Sequence, residues 1–477
     1  MTTFRLEKRI EKDTLGSMEV PSAAYYGVQT ARAIQNFPIS GLRAHPKFIE
    51  AYMLLKKAAA MVNMKSGLLS ERQGNAIMEA ADDVLSGNLR DQFVVDVFQM
   101  GAGTAFNMNC NEVLANRAIE LLGGRMGAYE VIHPNDHVNM SQSTNDTYPT
   151  AMRLSALLLL PELEKEIEAL SISLAEKGKQ FDTVLKSART HLQDAVPIRL
   201  GDEFVAYSVA IKRCLISIRA AKESLRELGI GGSAAGTGLN TPTGYSKLII
   251  AGLSEMLDGM ELREAEDLRE AMQSQRLMAE LSSSFRNLAL ELGRICNDLR
   301  LLSSGPMTGF DEIRLPPLAP GSSIMPGKIN PSMLEMVNMV CYQIIGADTT
   351  ISYAVQAGQL ELNVMMPVIA YNILFSMEIM TRALHELRTR CIEGLTANRE
   401  RCRYLLEKSL GLATALNTII GYSKAAEVAA EASKSGRTII EIIREKRILS
   451  DDEIRRVFDP VTLTRPGIPR KDISQER

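Results

Sequence analysis

The chain of 477 residues contains no tryptophan, only five histidines and only six cysteines. The cysteines are scattered, and neither a C-x-x-C pair nor a Cys/His ligand spacing occurs, which argues against a structural metal site. We interpret them as buried small apolar residues in a reducing compartment. We therefore expect a cytoplasmic protein without a bound metal.

Long hydrophobic runs and blocks of like charge are also absent. No stretch of about 18 apolar residues is available to span a membrane, and the first residues, MTTFRLEKRIEKD, lack the apolar core of a signal peptide. The net charge is −3, with acidic and basic residues interspersed. This pattern argues against nucleic-acid and membrane partners.

What the sequence does contain is helical periodicity. Leucine, alanine, isoleucine and methionine dominate over β-branched alternation, so the predicted fold class is all-α. Apolar residues recur with a period of about 3.5, as in packed helical bundles. The clearest run is Leu281, Phe285, Leu288, Leu292, Ile295, Leu299 and Leu302. Together with similar runs near residues 163–174, 204–218, 333–344 and 365–394, it predicts about five long helices.

The changes in pattern along the chain divide it into three predicted domains. Residues 1–140 form a mixed, mainly helical domain, residues 141–397 a central domain of long helices, and residues 398–477 a small helical C-terminal domain. A mobile loop is expected near residues 310–329. Long helices with broad apolar surface usually bury it against other subunits, so we expect an oligomer.

The segment Pro320–Pro331 combines serines, a lysine and an asparagine with glycine and proline. It cannot continue a helix or a central strand and is therefore a predicted loop. Asn330 suits an N-cap and Pro331 the first helical position. A helix N-terminus beside Lys328 favours a bound anion, most simply a carboxylate. The alternative is an ordinary surface turn with a solvated lysine.

Four further polar segments interrupt the helical pattern. They are Gly103–Thr104 with Asn107, Ser141–Asp146, Arg189–Asp194 and Gly358–Asn363. Each also has a structural interpretation as a cap or helix break, although six consecutive polar residues exceed what one cap requires. The glycine-rich stretch 229–238 lacks the G-K-[ST] ending of a phosphate loop, and we interpret it as a connection.

The string G-S-S-I-M-P-G-K-I-N-P resembles the signature of the fumarase/aspartase superfamily of lyases. The segments N-M-S-Q-S-T-N-D, T-H-L-Q-D-A-V-P and A-G-Q-L-E-L-N-V-M are more similar to its aspartate ammonia-lyases than to its fumarases, and the resemblance extends along nearly the whole chain. Three positions depart from the family pattern: Met307 follows S-G-P where an arginine is frequent, Met366 replaces a glutamate, and Thr418 replaces a proline.

The resemblance implies a three-domain fold whose homotetramer contains a bundle of twenty helices, with each active site built from three subunits. It implies reversible deamination of L-aspartate to fumarate and ammonia without an organic cofactor. Two alternatives remain open. One is a class II fumarate hydratase, which differs in the group that leaves C2, and the other is a non-catalytic structural homologue.

The resemblance also implies roles for individual residues. Ser322 would be the general base, and Lys328 with Asn330 would hold the α-carboxylate. Glu335 would orient the imidazole of His191. The donors to the doubly negative aci-carboxylate intermediate would be Thr104, Ser143, Thr144 and Ser323. The substrate amino group would be surrounded by Asn145, Thr190 and His191.

Overall fold

The computed structural model describes residues 7–468. Within these residues the chain forms seventeen α-helices. In order they are α1 Val28–Asn36, α2 Pro46–Lys65, α3 Glu71–Leu85, α4 Thr104–Leu121, α5 Thr144–Gln180, α6 Leu200–Ser224, α7 Tyr245–Met256, α8 Leu268–Gln273, α9 Arg276–Leu302, α10 Ser332–Gln356, α11 Met366–Leu387, α12 Arg399–Lys408, α13 Asn417–Ile420, α14 Tyr422–Ser435, α15 Ile439–Glu445, α16 Asp451–Val457 and α17 Pro460–Thr464.

Strands are few and short in the same part of the chain. They form four two-stranded sheets, of which β5–β6 is parallel and the others are antiparallel. The strands are β1 Lys8–Asp13, β2 Gly16–Pro21, β3 Leu185–Thr190, β4 Gln193–Arg199, β5 Glu227–Leu228, β6 Arg263–Glu264, β7 Ile313–Arg314 and β8 Thr396–Ala397. The predicted all-α class is confirmed, and the sequence did not predict these small two-stranded sheets.

The five predicted long helices are present as α5, α6, α9, α10 and α11, which contain 37, 25, 27, 25 and 22 residues. In α9 every member of the periodic apolar series from Leu281 to Leu302 is buried. Full burial of a leucine or phenylalanine side chain contributes about 1.5–3 kcal/mol. The periodicity therefore identified the buried face of this helix correctly. No helix within residues 7–468 is both long and apolar enough to cross a membrane.

The chain folds into two compact units, each assembled from separate segments. The first consists of the chain up to Lys165 with Cys214–Ala289 and Cys341–Thr381. The second consists of Glu166–Arg213, Leu290–Val340 and the chain from Arg382 onward. The predicted division into residues 1–140, 141–397 and 398–477 stays a prediction.

Each unit has its own apolar core. In the first unit, α2 and α4 contribute aromatic rings that pack edge to face, with Tyr52 and Phe106 at a centroid distance of 5.2 Å. In the second unit, the C-terminal helices α14, α15 and α16 enclose a cluster that includes Leu416, Ile442 and Ile443. These cores hold the loops and helix ends on which the candidate site residues lie.

Candidate active site

The loop between β7 and α10 is closed on itself by two hydrogen bonds of Gly321. The Gly321 N–H donates to Lys328 O at 2.7 Å, and Asn330 Nδ2 donates to Gly321 O at 2.7 Å. A Cβ atom at position 321 would lie 2.7 Å from both Asn330 N and Lys328 O. Only glycine therefore allows this close approach, which holds Lys328 and Asn330 beside the serine pair.

Asn330 does not act as the N-cap that the sequence predicted. Helix α10 begins at Ser332, and the Glu335 N–H donates to Pro331 O at 3.2 Å. The prediction was wrong because the Asn330 amide donates to Gly321 and closes the loop.

Ser322 accepts two backbone hydrogen bonds within the loop. Its Oγ accepts from the N–H of Ile324 at 3.2 Å and from the N–H of Met325 at 3.0 Å. Two N–H dipoles aimed at one oxygen favour its charged form over its neutral form. These two hydrogen bonds would stabilise a negative charge on the Ser322 oxygen.

Loop and helix residues line two open cavities in the second unit. A cavity of about 900 Å³ is lined by Lys328, Asn330, Glu335 and Arg300, among others. A second cavity of about 500 Å³ is lined by Ser322 and Lys328 together with other loop residues. The structure thus brings four of the predicted site residues to adjoining surfaces. Arg300, which lies 3.9 Å from Glu335, was not predicted, because a basic residue on an amphipathic helix carries no distinguishing signal.

Thr190 and His191 lie at the tip of the β3–β4 hairpin. Thr190 pairs with Gln193, so His191 and Leu192 form a two-residue turn with φ values of 54° and 59°. Such turns favour asparagine and glycine, and a left-handed conformation costs other residues on the order of 1–3 kcal/mol. Both turn residues are exposed. A strained, solvent-facing histidine is consistent with a functional position.

The predicted pairing of His191 with Glu335 is not made within one chain. Glu335 contacts Arg300, and among the described residues of a single chain no ion pair joins it to His191. This pairing therefore stays a prediction.

Four of the remaining predicted residues lie at helix N-termini of the first unit, and the fifth, Ser323, is an exposed residue of the Ser322 loop in the second unit. Thr104 begins α4, and its Oγ1 donates to Gly101 O at 2.7 Å. Thr144 begins α5, and the preceding Ser143 accepts the N–H of Asn145 at 3.2 Å. Helix N-termini carry free N–H groups and partial positive charge. Both ends are therefore suited to an anionic ligand.

Asp146 joins the polar segment 141–146 to the glycine-rich connection. Its carboxylate accepts the N–H groups of Ser143 at 2.9 Å, Gly231 at 3.1 Å and Ser233 at 2.9 Å. Burial raises the pKa of Asp146 to about 7, although these N–H groups oppose the shift. In the same region Asn145 Nδ2 donates to Ala234 O at 2.8 Å. The stretch 229–238 is thus a connection, as predicted, and it also supports the polar segment.

A buried lysine beneath this segment was not predicted from the sequence. Lys56 of α2 is fully buried, and its Nζ donates to Asn107, Asn139 and Gln142 at 2.8–3.0 Å. Asn107 in turn donates to Thr144 Oγ1 at 3.1 Å. A lysine in a helical run usually indicates an exposed position, so this network could not be predicted from the local pattern.

The predicted residues fall into two groups. Thr104, Ser143, Thr144 and Asn145 belong to the first unit. Thr190, His191, Ser322, Ser323, Lys328, Asn330 and Glu335 belong to the second unit. Within each unit the residues lie on exposed loops, hairpin tips or helix ends. Their individual roles stay predictions. No group of three or more His, Cys, Asp or Glu residues within 7–468 is arranged to hold a metal ion.

Comparison with known proteins gives the family. A family model described as "Lyase" matches residues 16–346, and one described as "Fumarase C C-terminus" matches residues 412–465. An aspartate ammonia-lyase of Bacillus subtilis is 44% identical over 476 residues, and the alignment covers 100% of this chain and 100% of the relative. The chain belongs to the aspartase/fumarase superfamily of lyases.

Other members of the superfamily agree with this assignment. An aspartate ammonia-lyase of Pseudomonas aeruginosa is 47% identical, with 96% of this chain and 98% of the relative covered. A solved fumarate lyase:delta crystallin from Brucella melitensis, bound to cobalt, superimposes with a TM-score of 0.93 at 46% identity, covering 96% of this chain and 100% of that one. A class II fumarase from Schistosoma mansoni superimposes with a TM-score of 0.92 at 36% identity, and the match covers 97% of this chain and 100% of the fumarase chain. The predicted superfamily fold is confirmed.

The three departures from the superfamily pattern lie in different surroundings, and Thr418 is an exposed residue of the short helix α13. Met307 is 88% exposed, whereas Met366 at the start of α11 is completely buried. A glutamate at position 366 would have to be buried in the same place, which is costly without a partner. The methionine is therefore the residue that suits this environment.

Proposed function

We propose that the chain catalyses the reversible deamination of L-aspartate to fumarate and ammonia. The observation that carries the proposal is the geometry of Ser322, whose oxygen accepts two loop N–H groups in the segment that also holds Lys328. Aspartate ammonia-lyases that are 44–47% identical over at least 96% of this chain support the choice of substrate. No organic cofactor is needed for the chemistry described below.

The first step is removal of a proton from C3 of aspartate by Ser322. The C3–H bond breaks, its electron pair moves into the β-carboxylate, and a doubly negative aci-carboxylate forms. Serine is a poor base in water because its alkoxide is unstable. The N–H groups of Ile324 and Met325, with the positive charge of Lys328 on the same loop, lower the energy of that alkoxide.

The second step expels ammonia. The electron pair of the aci-carboxylate returns to form the C2–C3 double bond as the C2–N bond breaks, and the protonated amino group takes the electrons of that bond and leaves as neutral ammonia. Ser322 then releases to solvent the proton that it took from C3. Donors that hold the dianion before this collapse would be the hydroxyls of Ser143, Thr144 and Ser323, and that of Thr104 once it releases Gly101 O. Removing one preorganised donor of this kind raises the activation free energy by about 2.7–4 kcal/mol in comparable sites.

The α-carboxylate and the amino group of the substrate need different partners, a cation or donor for the first and an acceptor for the second. Lys328 and the second N–H of the Asn330 amide suit the α-carboxylate. Asn145 suits the amino group, because its Nδ2 donates to Ala234 O and its Oδ1 is left as an acceptor. Thr190 and His191 would complete the contacts to the amino group, with Glu335 orienting the imidazole.

The functional form would be a homotetramer with a bundle of twenty long helices. Large apolar side chains are exposed on the long helices of the single chain, among them Ile216 at 60%, Met339 at 68%, Tyr342 at 62% and Tyr353 at 72%. Exposed apolar surface of this extent usually marks an interface. Assembly would bring Thr104 and Ser143 of one chain to the Ser322 loop of another, and we place this tetramer in the cytoplasm.

The deciding experiment follows the ultraviolet absorbance of fumarate with the purified tetramer and either aspartate or malate. Formation of fumarate from aspartate, with little or none from malate, is the expected result. Turnover of malate without turnover of aspartate would instead identify a fumarate hydratase, the activity named for the relative from Schistosoma mansoni. Absence of both reactions, with fumarate still bound, would identify a non-catalytic homologue.

A further inference from the structure

The ammonium of Lys56 fixes the orientation of three amide side chains. Its Nζ donates to Asn107 Oδ1 at 2.8 Å, Asn139 Oδ1 at 3.0 Å and Gln142 Oε1 at 2.9 Å. An ammonium has three N–H groups and no lone pair. Each amide must therefore turn its oxygen toward Lys56 and its NH₂ group away.

The orientation of Asn107 determines the polarity of Thr144. With its oxygen on Lys56, Asn107 directs Nδ2 to Thr144 Oγ1 at 3.1 Å and to Asn139 Oδ1 at 3.1 Å. An NH₂ group can only donate, so the Thr144 oxygen must accept. Thr144 accordingly keeps its own O–H proton, which finds no acceptor within the described part of the chain.

Burial and charge around this group are consistent with a charged lysine. Lys56 and Asn107 have 0% and 2% exposure, so water does not compete for these bonds. Burial lowers the pKa of Lys56 to about 7, whereas Cys110 and Asp146 raise it. The three oxygen acceptors favour the ammonium further.

We propose that Lys56 and Asn107 are positioning residues that make Thr144 a hydrogen-bond donor to a carboxylate oxygen of the substrate. The proposal rests on the proposed function, in which Thr144 faces the β-carboxylate and its dianionic intermediate. If the amide were reversed, the Thr144 proton would be donated to Asn107. The hydroxyl would then offer only lone pairs to the anion, which is repulsive.

Asn107→Asp is the informative variant, because Lys56→Met leaves three buried amides without their donor and risks loss of the fold. An aspartate at this position keeps an oxygen for Lys56, with which it forms an ion pair, but has no N–H for Thr144 or for Asn139 Oδ1, which still accepts from Lys56 and Asn111. The Thr144 hydroxyl must then donate to the introduced carboxylate. The substitution therefore reverses the polarity at Thr144 while the buried ammonium remains satisfied.

The test is a double-mutant cycle of wild type, N107D, T144V and N107D/T144V, each measured for kcat, KM and Tm. Loss of one donor lowers kcat by about 10²–10³, so T144V and N107D should each fall by at least about 100-fold. In the T144V background, however, N107D should change kcat by less than about threefold, since no hydroxyl remains to be reversed. The variant T144S, which keeps the hydroxyl, should recover most of the activity.

A matched control is Asn116→Asp in the same helix. Asn116 is also buried, and its side chain bonds Tyr25 O, the Tyr129 hydroxyl and the Gly127 N–H, a set of partners distinct from that of Asn107. N116D should lower Tm and change kcat by the same factor in the wild-type and T144V backgrounds. If N107D also lowers kcat by the same factor in both backgrounds, the loss does not act through the Thr144 hydroxyl. It then comes from the added negative charge or from misfolding, and the proposal is overturned.

Fumarate binding separates this proposal from the proposed function. The dissociation constant of fumarate is measured for the same four proteins of the cycle. If wild type fails to deaminate aspartate but N107D weakens fumarate binding only when Thr144 is present, the proposed function is wrong and the positioning role stands. Equal weakening in both backgrounds overturns the positioning role whatever the reaction is.

Discussion

Arg189 and Glu312 are joined by two parallel hydrogen bonds between the guanidinium and a completely buried carboxylate, at 2.9 and 3.1 Å. Arg189 directly precedes Thr190 at the hairpin tip, and Glu312 directly precedes β7 at the start of the Ser322 loop. The guanidinium also lies over the Phe310 ring at 4.0 Å. One rigid pair therefore fixes the base of both segments that carry predicted site residues in the second unit.

Arg189→Met should lower the free energy of unfolding by about 1–3 kcal/mol, the usual cost of leaving a buried acceptor without its hydrogen-bond partner. The buried Glu312 would lose its bidentate partner and keep only Lys186, whose Nζ lies 3.4 Å away. Arg189→Lys should recover part of the loss, because lysine supplies charge without the paired geometry. Chemical denaturation measures the change. The matched control is Arg444→Met, which breaks the exposed pair with Asp451 and should cost less than about 1 kcal/mol; equal losses would contradict a special role for the buried pair.

Ser322→Ala should lower kcat for aspartate by about 10²–10⁴, while fumarate still binds. The substitution removes the base but leaves Lys328 and the Gly321 hydrogen bonds of the loop. Initial rates and fumarate titration of the same preparation make the comparison. Ser435→Ala, at an exposed helix end, serves as the control. Near-normal turnover by S322A would remove the serine from the mechanism.

Gly321→Ala should impair catalysis more than Gly327→Ala does, although the two glycines lie in one loop. A Cβ at 321 meets backbone atoms at 2.7 Å, whereas at 327 nothing lies within 4 Å and only the φ of +80° is unfavourable. We expect at least about a tenfold larger loss of kcat/KM for G321A, since small displacements of positioned groups are costly. Because the loop is largely exposed, Tm should change little in either variant. Equal kinetic losses would show that the Gly321 closure is unimportant.

Asp146 should make stability fall as the pH rises through the weakly acidic range. Burial raises its pKa to about 7 in the folded chain, above the ordinary value, so the folded state binds more protons than the unfolded state between about pH 4 and 7. The Tm of wild type relative to D146N should therefore decrease from about pH 4.5 to 6.5, corresponding to at most about 1.4 kcal/mol per pH unit. In this range Lys56, with a pKa of about 7, stays mainly protonated. A constant difference in Tm would show that Asp146 is ionised throughout.

Helices with local end signals are the easiest to predict from sequence. α12 Arg399–Lys408 and α16 Asp451–Val457 lie in the region after residue 397 that the sequence predicted to be helical. Their N-caps, Asn398 and Ser450, bond backbone N–H groups within three residues, so neighbouring residues alone determine the start. The β3–β4 hairpin was missed for the opposite reason. Its turn residues, His191 and Leu192, are not turn formers, and the backbone is held left-handed by the pairing of Thr190 with Gln193.

The amino-acid order alone determined the long helices, the buried face of α9 and the loop that carries Ser322, because apolar period and glycine–proline content act over a few neighbouring residues. Tertiary structure alone decided the polarity of the site. Lys56 and Asn107 are 51 positions apart, and Asn107 and Thr144 are 37 apart. Whether a hydroxyl donates or accepts depends on the group folded against it, and no local pattern specifies that partner.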